Sequence, residues 1–314
     1  MKKTSEPIVF FGSGPVAAKS LRLLIPEFHI EAVVTKPRPA HHKGSVPVLE
    51  LAEKLKIPVK TVENKATLDA LIAKRPFGSR LGILIDFGII VSQKAIDYFS
   101  LGIVNSHFSL LPQWRGADPI SFSILSGQNQ TGVSLMLLVE KMDEGPILAQ
   151  GVYDLEANET TQSLTTHLVK LSAALLHDSL PKYLSGEITP CSQEAVAAML
   201  TPPPQTSYSR KLTKEDGQLD WSKPAVQLER EIRAFIEWPK SRTTIRGIDI
   251  VITKAHVVKT SGRPGTTEVC EKLPIVHCGE NALALDRLKP AGKQEMTGEG
   301  FLAGYRQVFL GLGS

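Results

Sequence analysis

Asn105-Ser106-His107-Phe108-Ser109-Leu110-Leu111-Pro112-Gln113-Trp114-Arg115-Gly116 is the stretch on which the reading of this chain turns. It follows the short apolar run Leu101–Val104, which reads as the end of a buried strand. Asn105 and His107 therefore stand where a strand gives way to a loop, and in open α/β sheets that edge is where sites are built. Alternate strand residues point the same way, so the two polar side chains face one space. Asn brings an amide donor for a developing oxyanion, and His brings a group that carries a proton near neutral pH. A lone His after a strand is more often an ordinary packed residue, so its surroundings must decide.

Working outward toward the N-terminus, Leu81–Ile85 is a fully apolar strand that runs into Asp86-Phe87-Gly88, after which Ser92 caps a helix through Tyr98. The Asp-Phe-Gly triplet has no His-Arg-Asp partner and no Gly-rich strand pair, so a kinase is excluded. Ile8–Phe11 is another apolar strand; it ends at Gly12-Ser13-Gly14-Pro15, and a helical pattern follows through Ile25. Gly12-x-Gly14-x-x-Ala17 fits the loose dinucleotide fingerprint. The next strand, Ile30–Thr35, ends Thr35-Lys36-Pro37 without the acid that would bind a ribose, which disfavours a dinucleotide oxidoreductase. Residues 36–45 form a basic, Pro-broken loop; its His41-His42 pair lacks the further ligands a metal needs. Val46–Leu55 reads as a helix, Ile57–Val59 as an edge strand, and Thr67–Ala73 as a helix capped by Thr67.

Toward the C-terminus the pattern predicts a helix over Pro119–Ser126, a strand over Thr131–Val139 and a turn at Asp143-Glu144-Gly145-Pro146. A further strand to Leu155 and a long helix over Thr160–Leu184 follow. Strands alternating with helices predict an α/β domain with a mainly parallel sheet. On its own Asp143 is a turn Asp before Gly. Trp114-Arg115-Gly116 reads either as a stacking and anion element or as a packed Trp with a surface Arg. Residues 186–206 hold Pro190 and the run Pro202-Pro203-Pro204, the signature of a stiff linker. Beyond it come a helix, about Lys223–Phe235, and short strands at 243–245, 248–251, 255–258, 274–277 and 282–288, a pattern that suggests a small barrel.

A chain of 314 residues suits about two domains, and its 42% apolar content suffices for their cores. No stretch of about 18 apolar residues is present to span a membrane, and residues 1–7 lack the apolar segment of a signal peptide. Cys191, Cys270 and Cys278 are odd in number without Cys-x-x-Cys spacing, which fits a reducing compartment and gives no metal site. Net charge is +4; residues 1–206 carry 19 basic and 19 acidic side chains, and residues 207–314 carry 17 and 13. The whole excess lies in the last third, which is compatible with a polyanionic partner.

Asn105-x-His107-x-Ser109-Leu110-Leu111-Pro112, then Trp114-Arg115-Gly116, then Asp143-Glu144-Gly145, resembles the signature of the folate-dependent formyltransferases. Within them the chain is most similar to those acting on methionyl-tRNA, and the likeness extends to Asp220-Trp221-Ser222, Arg233-Ala234-Phe235 and Trp238-Pro239. It departs at Gln113, usually Arg, and Asp118, usually Ala. The resemblance implies a Rossmann-like catalytic domain over 1–188, a linker over 189–206 and an OB-like β-barrel over 207–314 that binds tRNA. It implies 10-formyltetrahydrofolate as donor, initiator methionyl-tRNA as acceptor, no metal, and a cytoplasmic monomer. Asn105, His107 and Asp143 would be catalytic: His107 and Asn105 would stabilise the oxyanion, with Asp143 orienting His107 and handling the amine's proton. Ser109, Leu110, Leu111 and Pro112, with the backbone of Phe87, Gly88 and Ile90, would hold the folate. Arg38 and Lys43 would meet the acceptor arm of the tRNA. A sugar-nucleotide N-formyltransferase using the same donor and a non-catalytic RNA-binding module are the alternatives.

Overall fold

The computed structural model describes residues 6–39 and 44–312. The chain divides into two compact units, one of residues 1–119, 130–154 and 165–209, the other of residues 120–129, 155–164 and 210–314.

In chain order the first part carries β1 (Pro7–Phe11), α1 (Pro15–Leu24), β2 (His29–Thr35), α2 (Pro47–Lys54), β3 (Val59–Thr61), α3 (Lys65–Ala73) and β4 (Leu81–Leu84). There follow α4 (Gln93–Asp97), β5 (Ile103–His107), β6 (Arg115–Gly116), α5 (Pro119–Ser126), β7 (Gln130–Leu137), β8 (Ile147–Asp154), α6 (Thr161–Leu184), α7 (Gln193–Ala198) and β9 (Tyr208–Ser209). The main sheet has seven strands in the order β3-β2-β1-β4-β5-β7-β8. The first five are parallel, as expected, and β7 and β8 close the sheet antiparallel. Strands such as Ile8–Phe11 are apolar throughout because both faces of a parallel sheet are covered. On one face Val9, Phe11 and Val34 pack with Leu68, Ile72, Phe87, Ile96 and Phe99, and the rings of Phe11 and Phe87 meet edge to face at 5.6 Å. The strand order reverses between β1 and β4, so the carboxyl ends of those two strands open a switch-point crevice.

Several local expectations shift. Helix α3 begins earlier than Thr67: Asn64 is its cap, accepting from Thr67 N, while the Thr67 hydroxyl reaches back to the Asn64 N–H. Asn competes as well as Thr for that position, and Thr at the third helical residue completes a reciprocal pair. The edge strand starts at Val59, after Pro58, which has no N–H to give. The stretch 186–206 is more than a connector. It holds α7, whose Val196 packs against a small core of Leu111, Met136 and Ile147, and Cys191 pairs with Ile147 through both backbone bonds. Apart from α7 and that pairing, the stretch has no helix or strand, its Pro-rich end at 202–206 included.

The second unit contains α8 (Ala225–Ala234), β10 (Ser241–Ile245), β11 (Ile248–Val258), β12 (Thr267–Cys270), β13 (Leu273–His277), β14 (Ala282–Pro290), β15 (Met296–Thr297) and α9 (Gly298–Leu310). Its sheet is antiparallel throughout, ordered β10-β11-β14-β13-β12 with β15 beside β14. The expected short strands are present, with 248–251 and 255–258 joined into one strand that breaks register near Lys254. Such a bulge raises the local twist of the strand. Helices α8 and α9 bury Leu228, Ile232, Phe301 and Phe309 against Leu283, Leu285 and Leu288.

Candidate active site

Strand β5 lies inside the main sheet, between β4 and β7, with Leu84 opposite Asn105 on one side and Met136 and Ser134 opposite Asn105 and His107 on the other. The alternation expected of a strand holds. Ser106 points away and shares a hydrogen bond with Ser172 at 2.7 Å. Asn105 and His107 both reach Asp143: the Asn105 amide lies 3.5 Å from Asp143 Oδ1, and His107 Nδ1 lies 3.7 Å from the same oxygen. The structure thus brings together the three side chains expected to act as a set. Asn105 and His107 are only 7% and 6% exposed, so this polar cluster is largely shielded from bulk water.

The cluster is oriented by backbone. His107 Nε2 is 2.9 Å from the Trp114 carbonyl. A carbonyl only accepts, so Nε2 carries the hydrogen and Nδ1 is the ring nitrogen turned toward Asp143. Trp114 has φ +56°, in the left-handed region, and its N–H donates to Ser207 Oγ at 3.0 Å. Asp143, itself at φ +53°, accepts the Gly116 N–H on Oδ2 at 2.8 Å. Gly116 has φ +119°, and a Cβ there would stand 2.1 Å from the Ser209 carbonyl, so β6 and β9 can pair only with glycine at this place. Arg115 is no surface side chain: it is 7% exposed, with Nε and Nη2 donating to Gln193 Oε1 at 3.1 and 2.7 Å and Nη1 lying 3.4 Å from Glu144.

The Ser109–Pro112 segment is stapled to β7 and β8. Ser134 Oγ donates to the Ser109 carbonyl at 2.7 Å and accepts from Leu111 N at 2.9 Å. Gln150 Nε2 donates both to the Leu111 carbonyl at 2.8 Å and to Ser134 Oγ at 2.9 Å. Ser109, Leu111 and Pro112 are buried, and Leu110 is half-buried. The Phe87 side chain belongs to the core, whereas Ile90 is 66% exposed and Gly88 is exposed beside Lys36. Among the described residues no hydrogen bond to the backbone of Phe87, Gly88 or Ile90 is found. Arg38 is tied into its own loop, to the Gly44 carbonyl at 3.2 Å and Glu50 at 3.0 Å; Ser45, Val46 N–H and Arg38 together hold the Glu50 carboxyl down at about 2. Lys43 lies outside the described residues.

The dinucleotide-like turn is explained by Asp86. A Cβ on Gly14 would fall 1.9 Å from Asp86 Oδ2, so Gly14 makes room for that carboxylate. The N–H groups of Val16 and Ala17, at the start of α1, hydrogen-bond it. The helix terminus that would receive a pyrophosphate is filled by the chain's own acid. Asp86 remains open to solvent, yet the protein crowds its carboxyl. Desolvation pushes it up to about 6, against those two hydrogen bonds and Lys36, with Asp118 adding to the rise.

Sequence reasoning missed Ser134, Gln150 and Gln193. Ser134 and Gln150 sit in strands whose pattern signals only burial, and Gln193 lies in a stretch whose prolines signal a linker. Its one local signal was Ser192, which caps α7 by accepting Ala195 N at 3.2 Å. Among the described residues no three His, Cys, Asp or Glu side chains converge as a metal site, and no helix is long and apolar enough to cross a membrane.

The chain is 37% identical over 318 aligned positions to the methionyl-tRNA formyltransferase of Chloroflexus aurantiacus, covering 98% of this chain and 99% of that one. The methionyl-tRNA formyltransferase of Myxococcus xanthus is 36% identical over 304 positions, 95% of each chain. Among solved structures, the N-formyltransferase from Helicobacter canadensis, in complex with folinic acid and dTDP-3-aminofucose, matches with a TM-score of 0.66 at 18% identity. That match covers 90% of this chain and 99% of the other. HypX from Aquifex aeolicus, in complex with tetrahydrofolic acid, matches with a TM-score of 0.62 at 15% identity; 97% of this chain corresponds to 48% of HypX. At those identities the structural likeness is one of fold. The model of a family described as formyl transferase matches residues 8–180, that of the formyl transferase C-terminal domain matches residues 211–306, and with relatives this similar over nearly its whole length the chain belongs to the formyl transferase family.

Proposed function

We propose that this protein transfers the formyl group of 10-formyltetrahydrofolate to the amino group of initiator methionyl-tRNA. The observation that carries the reading is the convergence of Asn105, His107 and Asp143 at the end of β5, with Asp143 held by the Gly116 N–H. The full-length relatives named for that activity support the choice of acceptor.

Acyl transfer between nitrogens needs a donor for the oxyanion and a place for the amine's proton. Asn105 keeps an amide hydrogen for the formyl oxygen. A neutral His107 Nδ1 and the Asp143 carboxylate would face each other as two acceptors, so a proton between them satisfies both. That gap takes up the proton the attacking amine releases, a protonated His107 joins Asn105 in stabilising negative charge, and the proton then passes to the folate nitrogen as its bond to the formyl carbon breaks. The folate would lie along Ser109, Leu110, Leu111 and Pro112 and the backbone of Phe87, Gly88 and Ile90. Arg38 and Lys43 would face the acceptor arm, and residues 207–314 would bear on the tRNA body, with 1–188 catalytic and 189–206 between them. The protein would work as a monomer in the cytoplasm, which suits its free Cys191, Cys270 and Cys278.

The test is transfer of radiolabelled formyl from the folate to methionyl-tRNA, run beside an amino-sugar nucleotide as acceptor. His107→Asn should lower turnover by at least about 10²–10³, the effect of losing one oxyanion donor. Formylation of the sugar alone would replace the acceptor, and full turnover by the variant would remove His107 from the reaction.

A further inference from the structure

We propose that Gln193 is a positioning residue for the reaction: it clamps the turn that carries Asp143, and so sets the gap between Asp143 and His107. The inference deepens the formyl-transfer reading and rests on it for its kinetic arm.

Gln193 is 1% exposed, and its amide is fully used. Nε2 donates to the Asp143 carbonyl at 2.7 Å and to the Gly145 carbonyl at 3.0 Å. Oε1 accepts both bonds from Arg115. Only one orientation of the amide works, because guanidinium groups only donate and carbonyls only accept. Gln193 therefore ties the turn bearing Asp143 to the strand bearing Arg115. The residues flanking Arg115 complete the loop, since the Trp114 carbonyl holds His107 and the Gly116 N–H holds Asp143. Both members of the His–Asp pair are thus fixed from one short segment, and Gln193, beside the direct Arg115–Glu144 ion pair, binds that segment to the Asp143 turn.

Asp143 sits in the left-handed region, which Asp tolerates better than most residues, and the clamp fixes the turn in that conformation. The clamp is itself anchored. Cys191 pairs with Ile147 through backbone bonds of 2.7 and 2.9 Å, Ser192 caps α7, and Val196 packs over Leu111 and Ile147. Gln193 touches neither substrate nor reacting atoms; it acts through Asp143.

The experiment uses the full chain with Gln193→Met, which keeps size and loses every hydrogen bond. Gln193→Glu serves as a second variant, since it keeps the Arg115 partner but turns an acceptor toward the two carbonyls. Two readouts are taken. The first is hydrogen exchange at the Gly116 amide, whose partner is Asp143; its protection should be lost in either variant that remains folded. The second is kcat for formyl transfer, alone and in an Asp143→Asn background. Gln193→Met should lower kcat by about 10²-fold, the scale of a misplacement of about 1 Å. It should cost almost nothing further once Asp143 is Asn, because the two act as one unit. An unchanged Gly116 protection factor, or a loss of the same size in both backgrounds, overturns the proposal. A wild-type protein that does not formylate methionyl-tRNA would sink the acceptor assignment, while the exchange readout would still decide the clamp.

Discussion

Among single residues, Asp86 has a role that only the folded chain creates. Its folded pKa, about 6, lies above the ordinary 3.8, so the folded chain holds this proton more tightly than the unfolded chain does. The contribution to stability is then present below about pH 4 and is lost as pH rises through about 6. Asp86→Asn is neutral throughout and should remove that slope. Melting temperatures of both proteins between about pH 4 and 7 give the check: the variant should gain on the wild type as pH rises through the window and then run level. Parallel curves would mean that Asp86 is not crowded as described. Most other shifted carboxylates, Glu31 and Glu50 among them, are lowered and act in the opposite sense, but they are common to both proteins and cancel in the difference. The trio, by contrast, was legible in the sequence, because strand alternation placed Asn105 and His107 on one face and a long signature singled out Asp143. Its orientation was not legible, since it depends on the Trp114 carbonyl and the Gly116 N–H, backbone groups of a kind that every sequence possesses.

For helices and strands, those with strong periodicity were legible and those held by side-chain staples were not. α6 was expected over Thr160–Leu184 and spans Thr161–Leu184. α9 went unseen because Gly298, Gly300 and Gly304 depress helix propensity; tertiary packing of Phe301, Leu302 and Phe309 overrides that. The Ser109–Pro112 loop shows the same dependence on distant partners. Pro112 marks it as rigid, but Ser134 and Gln150 from neighbouring strands hold it in place. Ser134→Ala would leave the Leu111 N–H and the Ser109 carbonyl buried without that partner, at a cost of about 1–3 kcal/mol. The variant should melt earlier and bind a folate analogue more weakly by calorimetry. A lower melting point with unchanged affinity would show that the 109–112 segment does not touch the donor.

Across the molecule as a whole, the charge distribution is the feature that the catalytic unit leaves unexplained. Folate and amine are small, and every residue assigned to the donor or to the chemistry lies within 87–143, yet the net positive charge falls in 207–314. A groove of about 610 Å3 on that second unit is lined in part by Lys240, Arg242 and Lys289. Arg242 is spent on the Lys214 carbonyl, and the nearby acids are engaged, Asp249 with Thr244 and Glu295 with Arg287. Among the described residues neither Lys240 nor Lys289 has an ion-pair partner, which leaves both available to a phosphate backbone. If the polyanion is the tRNA, removing one lysine–phosphate pair should lower the salt dependence of its binding by about one unit of slope. Lys240→Ala with Lys289→Ala in the full chain should therefore raise the Michaelis constant for methionyl-tRNA and flatten its salt dependence by about two. Folate-analogue affinity, measured on the same preparation, should not move, because neither side chain belongs to the unit that holds the trio. A double variant whose salt slope matches the wild type would remove this groove from the path of the nucleic acid and leave the basic excess of the second unit without a partner.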